Sequence, residues 1–102
     1  MNSSQHVLFL GRLGKNPELR YTPMQEPVCR LNVAVTTEGA EKPCWYIVVV
    51  WGKQAELCQV FLEKGKSVFV QGRKVFKERR LPSGDVRKYE EITANKVGFI
   101  NL

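Results

Sequence analysis

Two tryptophans, Trp45 and Trp51, bracket the apolar run Trp45-Tyr46-Ile47-Val48-Val49-Val50-Trp51. Side chains alternate along an extended strand, so an even separation sends both indoles from one face, with Ile47 and Val49 between them and Tyr46, Val48 and Val50 opposite. A strand apolar on both faces needs two burial partners. A core supplies one; the second is a set of flat ligand groups, another subunit, or more core. Downstream, seven of the 16 basic residues (Arg73, Lys74, Lys77, Arg79, Arg80, Arg87, Lys88) fall within residues 73–88 against two acidic ones, Glu78 and Asp85. The rest of the chain is close to neutral. A cationic stripe next to Trp and Phe suits a polyanion that carries stackable rings, of which nucleic acid is the common one. The alternative is a solvated hairpin whose Lys and Arg block edge pairing.

Little else supports chemistry. There is one histidine, His6, and the adjacent Glu90 and Glu91 must face opposite ways on a strand, so they form no acid–base pair. No glycine-rich phosphate loop and no nucleophile motif occurs, so no catalytic residue is assigned and an enzyme is not expected. Cys29, Cys44 and Cys58 are odd in number and widely spaced, without a CxxC pair. That pattern suits neither a disulfide framework nor a zinc site, so no metal or other cofactor is expected. Cys29 and Cys58 fall in step with apolar neighbours and read as core.

The 102 residues, 43% of them hydrophobic, fit a single domain over residues 1–102 with a modest core that oligomerisation would help. No run is long enough to span a membrane, and the polar start Met1-Asn2-Ser3-Ser4-Gln5 lacks the basic and apolar regions of a signal peptide. A cytoplasmic location is expected. The glycosylation-like triplet Asn2-Ser3-Ser4 carries no meaning in such a chain.

The elements that must hold these residues follow from two rhythms. Val7 to Leu13 and Val28 to Thr37 read as strands, the second alternating Leu31, Val33 and Val35 with Arg30, Asn32 and Thr36. Between them, Asn16-Pro17 and Thr22-Pro23 mark irregular chain. Trp45 to Trp51 is a third strand. Ala55, Cys58, Phe61 and Leu62 then take helical spacing, with Gly65 expected to end the helix between Lys64 and Lys66. Ser67 to Arg80 and Val86 to Thr93 are two more strands about a Pro82-Ser83-Gly84-Asp85 turn, and an apolar tail follows. Three strands, one helix and two strands is the order of an all-β, five-stranded Greek-key barrel of the OB type, with its helix between strands three and four.

Three blocks resemble bacterial single-stranded DNA-binding proteins. They are Gly11-Arg12-Leu13-Gly14-Lys15-Asn16-Pro17-Glu18-Leu19-Arg20-Tyr21-Thr22-Pro23, then Val48 to Glu56 with Phe61 to Gly65 and Val68 to Arg73, and finally Tyr89 to Thr93 with Phe99. They keep family order over nearly the whole chain. The resemblance implies an OB-fold subunit, usually a homotetramer, that wraps single strands without reading sequence during replication, recombination or repair. It places Trp45 and Trp51 as base-stacking residues. From the residues themselves Phe76 is a weaker candidate, which shares a strand face with Lys74 and Arg80 or else packs on Tyr89. Phosphate contacts are expected from Arg20, Lys53, Arg73, Lys74, Lys77, Arg79 and Arg80.

The sequence also departs from the family. The Thr37–Cys44 connection is short and carries no aromatic, and a further aromatic of the fourth-strand hairpin is replaced near Arg79. Charge is expected to compensate for the lost stacking, giving steep salt dependence. Family members commonly carry a disordered extension with an acidic tip that recruits replication and repair enzymes, whereas the sequence stops at Asn101-Leu102; this is either a naturally short member or a shortened sequence, and in either form DNA binding without recruitment through such a tip is expected. Two other readings stand beside the first: an OB-fold accessory of the primosome or of DNA uptake, which binds both single strands and a replication protein, and a purely structural barrel.

Overall fold

The computed structural model describes residues 5–100; the Asn2-Ser3-Ser4 triplet and the Asn101-Leu102 end lie outside it. Its elements run β1 (Gln5–Leu13), β2 (Glu18–Tyr21), β3 (Pro27–Val35), β4 (Cys44–Trp51), α1 (Lys53–Phe61), β5 (Ser67–Arg80) and β6 (Val86–Phe99). Hydrogen-bonded neighbours follow the order β1-β5-β6-β4-β3-β2, and β1 also pairs with β3, at Arg12 with Ala34 and Leu13 with Val33. That last contact closes β1, β5, β6, β4 and β3 into a ring of five strands, with β4 and β6 parallel and the other pairs antiparallel. The expected all-β barrel with one helix between its third and fourth strands is what forms.

Alternation explains the interior. Leu31 and Val33 of β3, Val48 and Val50 of β4, Val68 and Val70 of β5 and Ile92 of β6 all point inward and are fully buried. Helix α1 covers one end with Ala55, Cys58 and the following Leu62. Burial of apolar side chains of this kind contributes about 1.5–3 kcal/mol each. Phe9 and Tyr46 stack on the flank of this core, with centroids 4.8 Å apart. Burial pushes the Cys58 thiol up to about 12. Burial, together with the Glu18 carboxylate, takes Cys29 up to about 11. Both therefore stay protonated at neutral pH and serve as packing, whereas Cys44 is exposed.

Three local expectations change. Glu18–Tyr21, read as irregular, forms the short strand β2, which pairs with the outer part of β3 from Glu18 opposite Arg30 to Tyr21 opposite Pro27. Four residues between two prolines are too few to display an alternation. The helix ends at Phe61 rather than at Gly65, because Leu62 turns to an extended conformation as it enters the core while its N–H still donates to the Cys58 carbonyl. Gly65, at φ 91°, serves the next turn instead. Its N–H donates to the Leu13 carbonyl and the Leu13 N–H to the Lys66 carbonyl, which guides the chain into β5. The last strand also runs further than Thr93, taking in the apolar tail as far as Phe99.

The register of β5 and β6 slips between Gln71 and Gly72, leaving Asn95 as the extra residue of a bulge. Such a bulge strands backbone groups, and the Gln54 side chain of α1 satisfies two of them. Its Nε2 donates to the Asn95 carbonyl, and its Oε1 accepts from the Val97 N–H, each at 2.9 Å. At the same point the strands come so close that a Cβ on Gly72 would collide with the Thr93 carbonyl oxygen and press on Ala94 Cα at 3.0 Å. Both neighbours are backbone and cannot give way by a rotamer change. Gly72→Ala should therefore destabilise the fold by about 1–3 kcal/mol, as overpacking does. The midpoint of denaturant unfolding measures it; an unchanged midpoint would contradict the close approach.

Candidate nucleic-acid interface

The face of β4 opposite the core carries Trp45, Ile47, Val49 and Trp51, and the strand register extends this face across the sheet. Val28 and Arg30 of β3 pair with Trp51 and Val49. Glu18 and Arg20 of β2 pair in turn with Arg30 and Val28. On the other side Thr93 of β6 lies beside Val49, and the β5–β6 register adds Arg73, Val75, Lys77 and Arg79 opposite Thr93, Glu91, Tyr89 and Arg87. Five strands thus contribute to one outer surface.

The indoles stand open on it. Trp45 is 60% exposed and Trp51 42%, although the alternate residues Val48 and Val50 of the same strand have no exposed surface. Trp45 is held in place by its contact with Gly14, where a Cβ would strike the indole ring. Between the tryptophans the floor is apolar, and two adjoining cavities follow it. One of ≈ 240 Å³ is lined by Glu18, Arg20, Val28, Arg30, Val49, Lys77 and Glu91. The other, of ≈ 290 Å³, is lined by Arg30, Ile47, Arg79, Arg87 and Tyr89. Arg30 belongs to both, so the two make a continuous shallow groove with an apolar floor and cationic walls.

The carboxylates on this face are all engaged. Glu91 is buried and takes Lys77 Nζ on Oε1 at 3.2 Å and Arg30 Nη2 on Oε2 at 3.3 Å. Glu18 receives Lys15 at 2.9 Å and Arg20 at 3.9 Å. The hydrogen bond and charge of Lys15 hold its carboxyl below the usual carboxylate range. Arg73, Arg79 and Arg87 make no ion pair among the described residues, which leaves their charge available to a ligand.

The β5–β6 hairpin projects beyond the barrel and sorts its charges between two faces. The face continuous with the tryptophans carries Arg73, Lys77, Arg79 and Arg87 against one carboxylate, Glu91. The reverse face carries Lys74, Arg80 and Lys88 against Glu78 and Glu90, with Lys74 paired to Glu90 at 3.7 Å. Phe76 stands on that reverse face, 66% exposed. It shares the face with Lys74 and Arg80 as the alternation requires, but it is turned away from Trp45 and Trp51. Its cross-strand partner is Glu90, while Tyr89 opposes Lys77 on the other side. Packing of Phe76 on Tyr89 is therefore replaced by two separate environments.

Of the candidate residues, Trp45, Trp51, Arg20, Arg73, Lys77 and Arg79 come together on one surface. Lys74, Phe76 and Arg80 do not join them, and Lys53 opens α1, two residues past Trp51. Sequence reasoning counted Arg87 in the basic stripe without assigning it a contact, and it missed Arg30, Tyr89 and Glu91 as members of the groove. Arg30 is correctly placed on the outward side of its strand by alternation. Only the register across four strands brings it to Glu91 and Lys77, and that register has no local signature. Among the described residues no group of three or more His, Cys, Asp and Glu is placed to hold a metal ion, and no helix is long and apolar enough to cross a membrane.

Residues 4–100 match the model of the single-strand binding protein family. Similar proteins include the single-stranded DNA-binding proteins of Neisseria meningitidis serogroup A, 31% identical over 96% of this chain and 60% of the relative. Those of Thermotoga maritima are 30% identical over 99% and 77%, and of Treponema pallidum 33% over 98% and 60%. The chain thus spans about 60% of the length of the Neisseria and Treponema relatives. With the match running across every strand of the ring and the helix, this chain belongs to the single-strand binding protein family.

Proposed function

We propose that this chain binds single-stranded DNA without sequence preference, as one binding unit over its whole length, in replication, recombination or repair. The observation that carries the reading is the pair of open indoles on β4, set on an apolar floor between cationic walls. Bases would lie on Trp45 and Trp51, and phosphates would run along Arg20, Lys77, Arg79 and Arg73, with Lys53 just beyond Trp51. Arg30 and Arg87 join this set from the structure. Lys74, Phe76 and Arg80 enter only for a strand long enough to pass round the hairpin to its reverse face. The relatives' names, each a single-stranded DNA-binding protein, support the ligand class. Stacking tolerates any base, which suits binding without readout. Catalysis is no part of this reading: Glu91 is occupied by two cations, and Glu90 faces the other way. Such a protein would work in the cytoplasm, beside the chromosome, and needs no cofactor.

We further infer a homo-oligomer, a dimer or a tetramer, formed through β1. Among the described residues, Gln5–Gly11 of β1 is paired on one edge, by β5, since β3 reaches it no earlier than Arg12. The open edge carries Leu8 and Leu10, 64% and 56% exposed. An unpaired strand edge with exposed leucines is a template for another strand, and an antiparallel copy of β1 about a two-fold axis satisfies both edges at once.

Titration of oligothymidine followed by tryptophan fluorescence at several salt concentrations tests the ligand. Quenching is expected with single strands and not with duplex, with log K falling against log salt by about 0.7 per phosphate contact. Trp45→Ala and Trp51→Ala should each cost about 1–3 kcal/mol of binding. An equal response to duplex would mean a generic basic surface, and binding only with an added helicase or loader would favour the accessory reading. For assembly, sedimentation at micromolar concentration should give an oligomer that Leu8→Lys weakens. A stable wild-type monomer would reject the β1 interface.

A further inference from the structure

Glu91 is the one charged side chain buried among the described residues, and it sits in the floor of a groove otherwise suited to a polyanion. Three strands meet at its carboxylate. Lys77 arrives from β5 to Oε1, and Arg30 arrives from β3 to Oε2, reaching over Val49 of the intervening β4. Both cations remain half exposed, 49% each, so their outer sides are open to a ligand while their inner sides are neutralised. A bridge made only to hold the sheet together has no need of charge, since apolar residues of similar volume stabilise as well or better. Glu18 repeats the arrangement at the far end of the same cavity, held between Lys15 and Arg20.

We propose that Glu91 is the resident counter-ion of the interface: it positions Arg30 and Lys77 and competes with DNA phosphate for them, so that it tempers affinity and its salt dependence. The proposal rests on the nucleic-acid reading of this face. Arg30, Lys77 and Glu91 together carry one net positive charge, not two. A phosphate that arrives at the cluster takes cations already partly neutralised by the protein, and fewer solution ions are released than two free cations would release. Removing the carboxylate exposes both cations in full.

The test compares wild type, Glu91→Gln and the double variant Glu91→Gln/Lys77→Gln in oligothymidine titrations between 50 and 200 mM salt, the range over which such contacts are usually read. Glu91→Gln is expected to bind more tightly at the low end, with a slope steeper by about 0.7, so that its advantage over wild type shrinks about threefold across the range. The double variant restores the net charge of the cluster and should return to the wild-type slope. An unchanged or shallower slope in Glu91→Gln, with weaker binding, would overturn the proposal and leave Glu91 a structural bridge. Should Glu91→Gln fail to fold by circular dichroism, Glu91→Met removes the same charge at similar length and is held to the same slope. If wild type itself ignores oligothymidine, the reading of the interface fails. If wild type binds and the slope does not move, only the role of Glu91 fails.

Discussion

Val48 and Val50 leave no surface to solvent, and because a strand turns successive side chains to opposite sides, Trp45 and Trp51 cannot follow them inward. The interface exists because β4 is pinned by its inner face. Its outer face then holds large rings that stay partly open within the subunit, and covering the remainder is a stabilisation that a ligand or neighbour can supply. The floor residues Ile47 and Val49 share this condition. Everything cationic is arranged about them by register: β3 and β2 supply one wall, and the long hairpin of β5 and β6 supplies the other.

That hairpin is a second consequence of barrel geometry. Both of its strands run to 14 residues; buried positions such as Val68, Val70, Ile92, Ala94 and Val97 lie on the barrel part, while the residues toward the turn are mostly exposed. The change falls near the bulge at Asn95, where Gly72 allows the two backbones to approach and Gln54 satisfies the stranded peptide groups. Beyond it the arm separates charge by alternation alone. One side has four cations to one carboxylate, the other three to two. The positive potential of the chain is thus concentrated on the side where the indoles lie, which is where a polyanion would be steered.

Much of this was legible in the order of residues. The alternation about Leu31 and Val33 and about Val48 and Val50, the helical spacing of Ala55 and Cys58, and the hairpin turn at Pro82 to Asp85 each carry a period or a turn signal, and each became the element expected. The short strand at Glu18 to Tyr21 had no room for a period, so it was hidden between two prolines. The helix end at Phe61 was hidden for a different reason: Leu62 fits a last helical turn and an extended core residue equally well, and tertiary burial decided. Within the site, alternation was enough to pair Trp45 with Trp51 and to separate Glu90 from Glu91. It was not enough to relate Phe76 to the tryptophans, because they are on different strands and a face is shared only once register is known. The union of Arg30, Lys77 and Glu91, 61 residues apart at its widest, is of the same kind.

The ring of strands is joined unevenly. β5 and β6 are matched over most of their length, while among the described residues β4 meets β6 only at Val48 and Val49, and β1 meets β3 only at Arg12 and Leu13. Next to that narrow seam lies Gly14, whose N–H donates to the Asn32 carbonyl and whose backbone supports the Trp45 indole. This short seam of the ring therefore lies beside an indole that is 60% exposed. A flat group seated on Trp45 would press on Gly14 and, through it, on this seam, so that covering the indole would also brace a joint of the ring that rests on two residue pairs.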